Sequence, residues 1–170
     1  MPENLLRVAS CSREKDKNIW EFVLTDQRSI FVNHGRVKTL SPLRGLVGGA
    51  GGYALGFLLS KQDDKATVDY SSEIDNVARR AGNVVVSHAS VREARFEKGF
   101  AVWKSLTLEY VDRGLATRIK ALLAAPEAYV QARRPAGLGR LDSQREFIHG
   151  LRNDLLKALP LNTMVKDAWK

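Results

Sequence analysis

The feature that most constrains the fold is an alternating apolar pattern near the start of the chain. In residues 19–25 (IWEFVLT), Trp20, Phe22 and Leu24 fall on one face, and Val23 falls on the other. Successive side chains of a strand point to opposite faces of a sheet, and β-branched and aromatic residues favour strands. The pattern therefore predicts a strand, and with it a fold built around a sheet.

Further strands and helices are predicted along the rest of the chain. Strand patterns cover residues 4–10, 28–33, 36–40, 91–96 and 105–111, while 115–124 fits either strand or helix. A helix is expected at 72–82, with a capping box at Ser72 and Asp75, and a second helix is expected to begin at Pro126. A third helix is expected from Asp142 or Ser143 to Pro160. Its apolar stripe consists of Phe147, Ile148, Leu151, Leu155 and Leu159. Strands, inserted helices, more strands and a terminal helix indicate an α+β fold rather than alternating βαβ units.

Residues 45–57 (GLVGGAGGYALGF) interrupt this pattern with six glycines, and the chain carries no charge from Gly45 to Ser60. One interpretation is a dinucleotide loop, since 49–54 (GAGGYA) matches a lenient G-x-G-x-x-A pattern. The segment before it contains Pro42 and glycine, which argues against the strand that such a loop requires. A second interpretation is a membrane span, but sixteen residues give only about 24 Å of helix, and a span needs about 20 apolar residues.

The third interpretation is close backbone packing. Gly48, Gly52 and Gly56 recur every fourth residue, and Gly45 falls on the same face of a helix. Each glycine costs a helix about 1 kcal/mol relative to alanine, so only close contact with another element offsets the loss. We therefore expect a glycine-rich helical segment within 41–60 that packs internally, self-associates or contacts a membrane. The candidate binding residues are Gly45, Gly48, Gly52, Tyr53, Gly56 and Phe57.

Positive charge is concentrated in the last third of the chain. The net charge is +8, and residues 113–170 carry eleven Lys and Arg against five Asp and Glu. Such a surface attracts anionic lipid or nucleic acid, and the planar guanidinium group suits phosphates; a solvated helix surface is the alternative. The candidate anion-binding residues are Arg133, Arg134, Arg140, Arg145 and Arg152.

The sequence carries no recognisable catalytic or metal-binding pattern. His34, His88 and His149 are not at metal-ligand spacing with one another or with Cys11, so no metal site and no cofactor are predicted. The lone Cys11 fits a reducing compartment, and the first residues do not read as a signal peptide. Trp103 and Trp169 are expected in the core or as caps, with interfacial anchors as the alternative.

Two stretches together resemble prokaryotic pleckstrin-homology-like (PH-like) domains. The first is WEFVLTDQRSIFV, and the second, after the glycine-rich insertion, is SVREARFEKGFAVWKSLTLEYVD. The resemblance covers about residues 4–133, and the long 41–83 insertion departs from the simplest pattern of the family. It implies a bent antiparallel barrel of about seven strands closed by a C-terminal helix, for which Pro126–Arg134 and the helix from Ser143 compete. It also implies binding of lipid or protein without catalysis, and it transfers no site residues.

These observations predict a PH-like domain over 1–133, with the inserted segment 41–60 and a helix at 72–82, and a basic helical extension over 134–170. The expected function is a non-catalytic binding module that self-associates or contacts the inner membrane surface from the cytoplasm. The alternative is a nucleic-acid-binding protein that uses the basic C-terminal third.

Overall fold

The computed structural model describes residues 3–13, 16–36 and 70–169 of the chain. The strands are β1 Leu5–Arg13, β2 Asn18–Thr25, β3 Arg28–Arg36, β4 Val84–Ser87, β5 Val91–Glu97, β6 Lys104–Asp112, β7 Leu115–Ala124 and β8 Met164–Asp167. The α-helices are α1 Tyr70–Arg79, α2 Glu127–Arg133 and α3 Arg140–Ala158, and short 3-10 turns lie at His88–Ser90 and Arg134–Ala136. The predicted α+β class is confirmed.

The eight strands form one bent, mostly antiparallel sheet in the order β4-β3-β2-β1-β7-β6-β5-β8. Strands β1–β2–β3 and β5–β6–β7 are joined by hairpins, β4 pairs with β3 after α1, and β1 joins the two halves by pairing with β7, with Ser10 opposite Ala124. β8 pairs with β5 in parallel, with Glu93 opposite Met164. Segment 115–124, which the sequence left ambiguous, is a strand because β1 and β6 hydrogen-bond to it on both sides.

The two faces of β2 lie in different apolar clusters. Trp20, Phe22 and Leu24 belong to the larger inner core, whereas Val23 belongs to a smaller cluster with residues of α1. The predicted division of this strand into two faces is therefore confirmed. In α1, Tyr70, Ile74 and Val77 recur at helical spacing, and this face covers the outside of the sheet.

Helix α3 packs into the inner core through the predicted stripe. Phe147, Ile148, Leu151 and Leu155 are buried there, and Leu159 follows just after the helix. On the sheet, Arg7 of β1 pairs with Asp154 of α3 at 2.5 Å, and its guanidinium group lies over the ring of Phe147. The helix of the predicted C-terminal extension thus shares the core of the sheet.

The start of α3 differs from the prediction. The helix begins at Arg140, with Gly139 in the capping position and no side-chain cap, so neither Asp142 nor Ser143 caps it. Ser143 lies one turn inside the helix, where its hydroxyl is buried without a hydrogen-bond partner among the described residues. Helix α2 follows Pro126 as expected.

Two strands have no counterpart in the sequence prediction. β4 fills the connection after α1, and β8 forms in the tail after α3. The predicted helix 72–82 is observed at Tyr70–Arg79, and Gly82 lies in the following turn with a positive φ of 89°. The predicted strand at 36–40 lies mostly outside the described residues, and the side chain of Ser72, its proposed cap, lies outside them entirely.

Candidate functional site

A groove of about 460 Å³ lies between the β5–β6 loop, the first half of α3 and Trp169. Its polar lining consists of Lys104, Gln144, Arg145 and His149, and its apolar lining of Ala101, Val102, Leu141, Ile148 and Trp169. None of the described residues that line it is acidic. This groove combines cationic side chains with an apolar wall, which suits a ligand that carries negative charge beside an apolar part.

A tight loop forms one side of the groove. Its backbone closes on itself through a 2.9 Å hydrogen bond that the amide of Trp103 donates to the carbonyl of Phe100. Ala101 has a φ of 52°, in the left-handed region that non-glycine residues seldom adopt. Phe100, next to Ala101, is 56% exposed, and Leu141 on the opposite side is 61% exposed. Two large apolar side chains thus reach solvent on the two elements that border the cations.

Helix α3 holds the other side of the groove against the end of β7. The side chain of Gln144 accepts a 2.8 Å hydrogen bond from the amide of Ala125 and donates a 3.4 Å bond to its carbonyl. This paired contact is buried and fixes the first turn of α3. Arg145 and His149, four residues apart on that helix, consequently lie along one side of the groove.

Of the five predicted anion-binding arginines, Arg145 lines the groove. Its side chain is 75% exposed, and its 3.8 Å pair with Asp142 is solvent-accessible, so this pair contributes little. Three others pair with carboxylates of the chain: Arg133 with Glu146, Arg140 with Glu127, and Arg152 with Asp167. Arg134 is exposed in the turn after α2. The described structure therefore does not gather the five into one site.

Sequence reasoning missed Lys104, Gln144, His149 and, as a groove residue, Trp169. One signal was available, because Arg145 and His149 are spaced to share a helix face. Lys104 and Trp169 carry no comparable signal, since their proximity to that face depends on the sheet. The prediction that Trp169 belongs to the core is confirmed, because the side chain is 4% exposed.

The predicted glycine-rich site (Gly45, Gly48, Gly52, Tyr53, Gly56, Phe57) lies outside the described residues. The structure does show how the described ends of that segment are attached. His34 of β3 and Tyr70 of α1 both hydrogen-bond to the carboxylate of Glu21 on β2. Burial disfavours the Glu21 carboxylate, but these hydrogen bonds outweigh burial and hold its pKa below the usual value. Strand β3, which ends before residue 37, and helix α1, which begins after residue 69, are thus both hydrogen-bonded to the side chain of Glu21.

Two nucleophilic groups of the described structure are inaccessible. Ser29 Oγ lies 3.0 Å from His88 Nε2, but Ser29 is fully buried and His88 is 3% exposed. Burial also lowers the pKa of His88, so its imidazole stays neutral in this pair. The thiol of Cys11 is buried, and burial raises its pKa well above the usual value, which suppresses the reactive thiolate. Both groups have the environment of core side chains.

Across residues 3–13, 16–36 and 70–169, no three His, Cys, Asp or Glu side chains are grouped to hold a metal ion. No helix in the same part of the chain is long and apolar enough to cross a membrane. Comparison with known proteins finds no matching family model, no matching curated protein and no matching solved structure.

Proposed function

We propose that the chain is a non-catalytic binding module of PH-like fold that contacts an anionic membrane surface through the groove beside α3. The observation that carries this proposal is the groove lining. Lys104, Arg145 and His149 provide its ionisable groups, and no described carboxylate lines it. Anionic lipids attract clustered cations near a membrane, with about 1 kcal/mol for each Lys or Arg.

The apolar side chains at the border favour a membrane over a nucleic acid. Leu141 is 61% exposed and lines the groove together with the cations, and Phe100, which precedes the groove residue Ala101, is 56% exposed. Large apolar side chains next to basic ones suit an interface where headgroups meet acyl chains. Single-stranded nucleic acid is bound by several stacking aromatic groups beside cations, whereas the exposed apolar side chain that lines this groove, Leu141, has no ring for stacking. The pairing of Arg133, Arg140 and Arg152 with carboxylates also reduces the cationic surface left for phosphates.

The strand arrangement supports the PH-like part of the proposal. Strands β1–β7 pair antiparallel in the order β4-β3-β2-β1-β7-β6-β5, and helices follow β7. Of the two helices expected to close such a barrel, α3 buries the apolar side chains of Phe147, Ile148, Leu151 and Leu155, whereas α2 buries that of Val130. The proposal also includes self-association or membrane contact through the glycine-rich segment Gly45–Phe57, which lies outside the described residues.

Flotation with lipid vesicles tests the proposal. We expect the full chain to float with vesicles of phosphatidylcholine and phosphatidylglycerol at low salt, and not with phosphatidylcholine alone. The double variant Lys104→Gln, Arg145→Gln removes two groove cations and is expected to weaken binding about thirtyfold, at about 1 kcal/mol for each cation. The charge-matched control Arg118→Gln, Lys157→Gln changes exposed cations that do not line the groove and should bind nearly as well as wild type.

Three outcomes would contradict the membrane proposal. The full chain could ignore anionic vesicles at low salt, or the control pair could weaken binding as much as the groove pair does. Alternatively, the chain could bind duplex DNA tightly with a steep salt dependence while ignoring vesicles. The last result would favour the nucleic-acid function instead.

A further inference from the structure

Residues 164–169, which we name the strap, run from α3 back across the edge of the sheet. The strap consists of β8 (Met164–Asp167) and the two residues after it. Met164 and Val165 are 57% and 42% exposed, whereas Trp169 is the buried side chain of the segment. The strap begins with a short strand at the edge of the sheet and buries one side chain, while its ion pairs lie partly exposed, so it opens at lower free energy than the core.

Trp169 bridges the two strands that lead into the groove loop. Its indole N–H donates to the carbonyl of Glu97 at 2.9 Å, at the end of β5, and to the carbonyl of Ser105 at 3.0 Å, near the start of β6. Its ring packs edge-on against Phe96, with 4.8 Å between the ring centroids. The same side chain lines the groove beside Lys104 and Ile148.

Ion pairs tie the strap to helix α3 and to strand β5. Asp167 pairs with Arg152 of α3, with Nε and Oδ2 at 2.6 Å. Lys166 pairs with Glu93 of β5 at 2.9 Å. The amide of Ala168 donates a 2.7 Å hydrogen bond to the carbonyl of Phe96. These contacts hold the docked strap against α3 and β5.

We infer that the strap completes the groove: Trp169 is a binding residue, and the groove accepts its anionic ligand fully only when the strap is docked. This inference rests on the proposed function of the groove. Because Trp169 belongs to both the strap and the groove wall, a ligand that contacts it favours the docked strap. By thermodynamic linkage, the docked strap raises the affinity for that ligand by the same factor.

The wall that Trp169 provides also bears on the ligand class. The indole of Trp169 is 4% exposed, so a small part of its apolar surface is open to the groove, and its N–H is already bonded to the carbonyls of Glu97 and Ser105. Ile148 and Val102 add aliphatic surface to the same lining. The completed groove therefore suits an amphiphilic anion, such as an anionic lipid headgroup with its adjoining apolar part, over bare phosphate.

Hydrogen exchange and flotation of the full chain test this inference together, with phosphatidylglycerol vesicles as the probe. We expect vesicles to slow amide exchange of residues 164–169 about fivefold or more, and Trp169→Ala to weaken flotation by a similar factor, a typical size for coupled sites. Trp169→Phe keeps an aromatic wall and should retain part of the affinity. Leu115→Ala alters an exposed apolar residue of β7, outside both the strap and the groove lining, and serves as the control with unchanged binding.

Asp167→Asn provides a second variant in case Trp169→Ala does not fold. It weakens the tie to Arg152 but leaves the indole in place, so it should speed strap exchange and weaken flotation while far-UV circular dichroism is unchanged. If the wild type floats but vesicles leave strap exchange unaltered, or the folded strap variants float as well as wild type, this inference is wrong and the proposed function stands. If the wild type does not float, the proposed function itself fails.

Discussion

At Gly99 the local backbone leaves no room for a side chain. A Cβ added there would overlap the carbonyl of Trp103, with its carbon at 2.7 Å and the Cα of Lys104 at 2.9 Å. Both neighbours are backbone, so relief requires the loop itself to move. Glycine at position 99 thus allows the backbone of residues 103–104 to lie directly against it in the loop that borders the groove.

We predict that Gly99→Ala lowers the free energy of unfolding by about 1–3 kcal/mol, the usual cost of forcing extra volume into a packed site. Urea denaturation of the variant and wild type measures the change. Ala101→Gly, two residues away, is the matched control. Its φ of 52° suits glycine, so the relief of strain offsets the lost chain entropy to within about 1 kcal/mol. Equal stability of Gly99→Ala and wild type would show that the loop relaxes freely.

At the scale of single elements, local pattern located the strands with alternating apolar residues but not β4 and β8. β2 was predicted because its apolar residues alternate. β8 was missed because its residues are largely exposed and its parallel pairing with β5 depends on a partner about 70 residues earlier in the chain. β4 contains the β-branched run Val84–Val86, which is itself a strand signal in the sequence. The start of α3 was placed too late because residues 142–143 suggested a cap.

The pairing of β8 with β5 predicts an acid-dependent loss of stability. Hydrogen bonds from Arg95 and Lys166 hold the pKa of Glu93 at about 2, below its ordinary value near 4.5. A lowered pKa means that the stabilisation is fully present above pH 4.5 and is lost as the pH falls towards 2. We expect the difference in Tm between wild type and Glu93→Gln to be greatest above about pH 5 and to vanish near pH 2. Parallel Tm curves for the two proteins over this range would contradict the prediction.

At the scale of the whole molecule, the sequence predicted the α+β class but not the groove. Of the groove residues, Arg145 alone was predicted as a binding residue. The others come from the β5–β6 loop, from the start of β6, from α3 and from the strap, which meet only when β8 pairs with β5 and α3 packs on the sheet. Such long-range contacts have no local signature in one sequence, whereas the division of β2 between two cores follows directly from its period of two.

That division makes the two cores separable in energy. Ile74 of α1 lies in the outer cluster, and Ile119 of β7 lies in the inner core; they are 6% and 4% exposed. We predict that Ile74→Val and Ile119→Val each cost about 0.5–1.5 kcal/mol, because each removes one buried methyl group. The double variant should lose the sum to within about 0.5 kcal/mol, since the side chains share no contacts across the sheet. Urea denaturation of the four proteins measures this, and a coupling above 1 kcal/mol would mean that packing on one face of the sheet controls packing on the other.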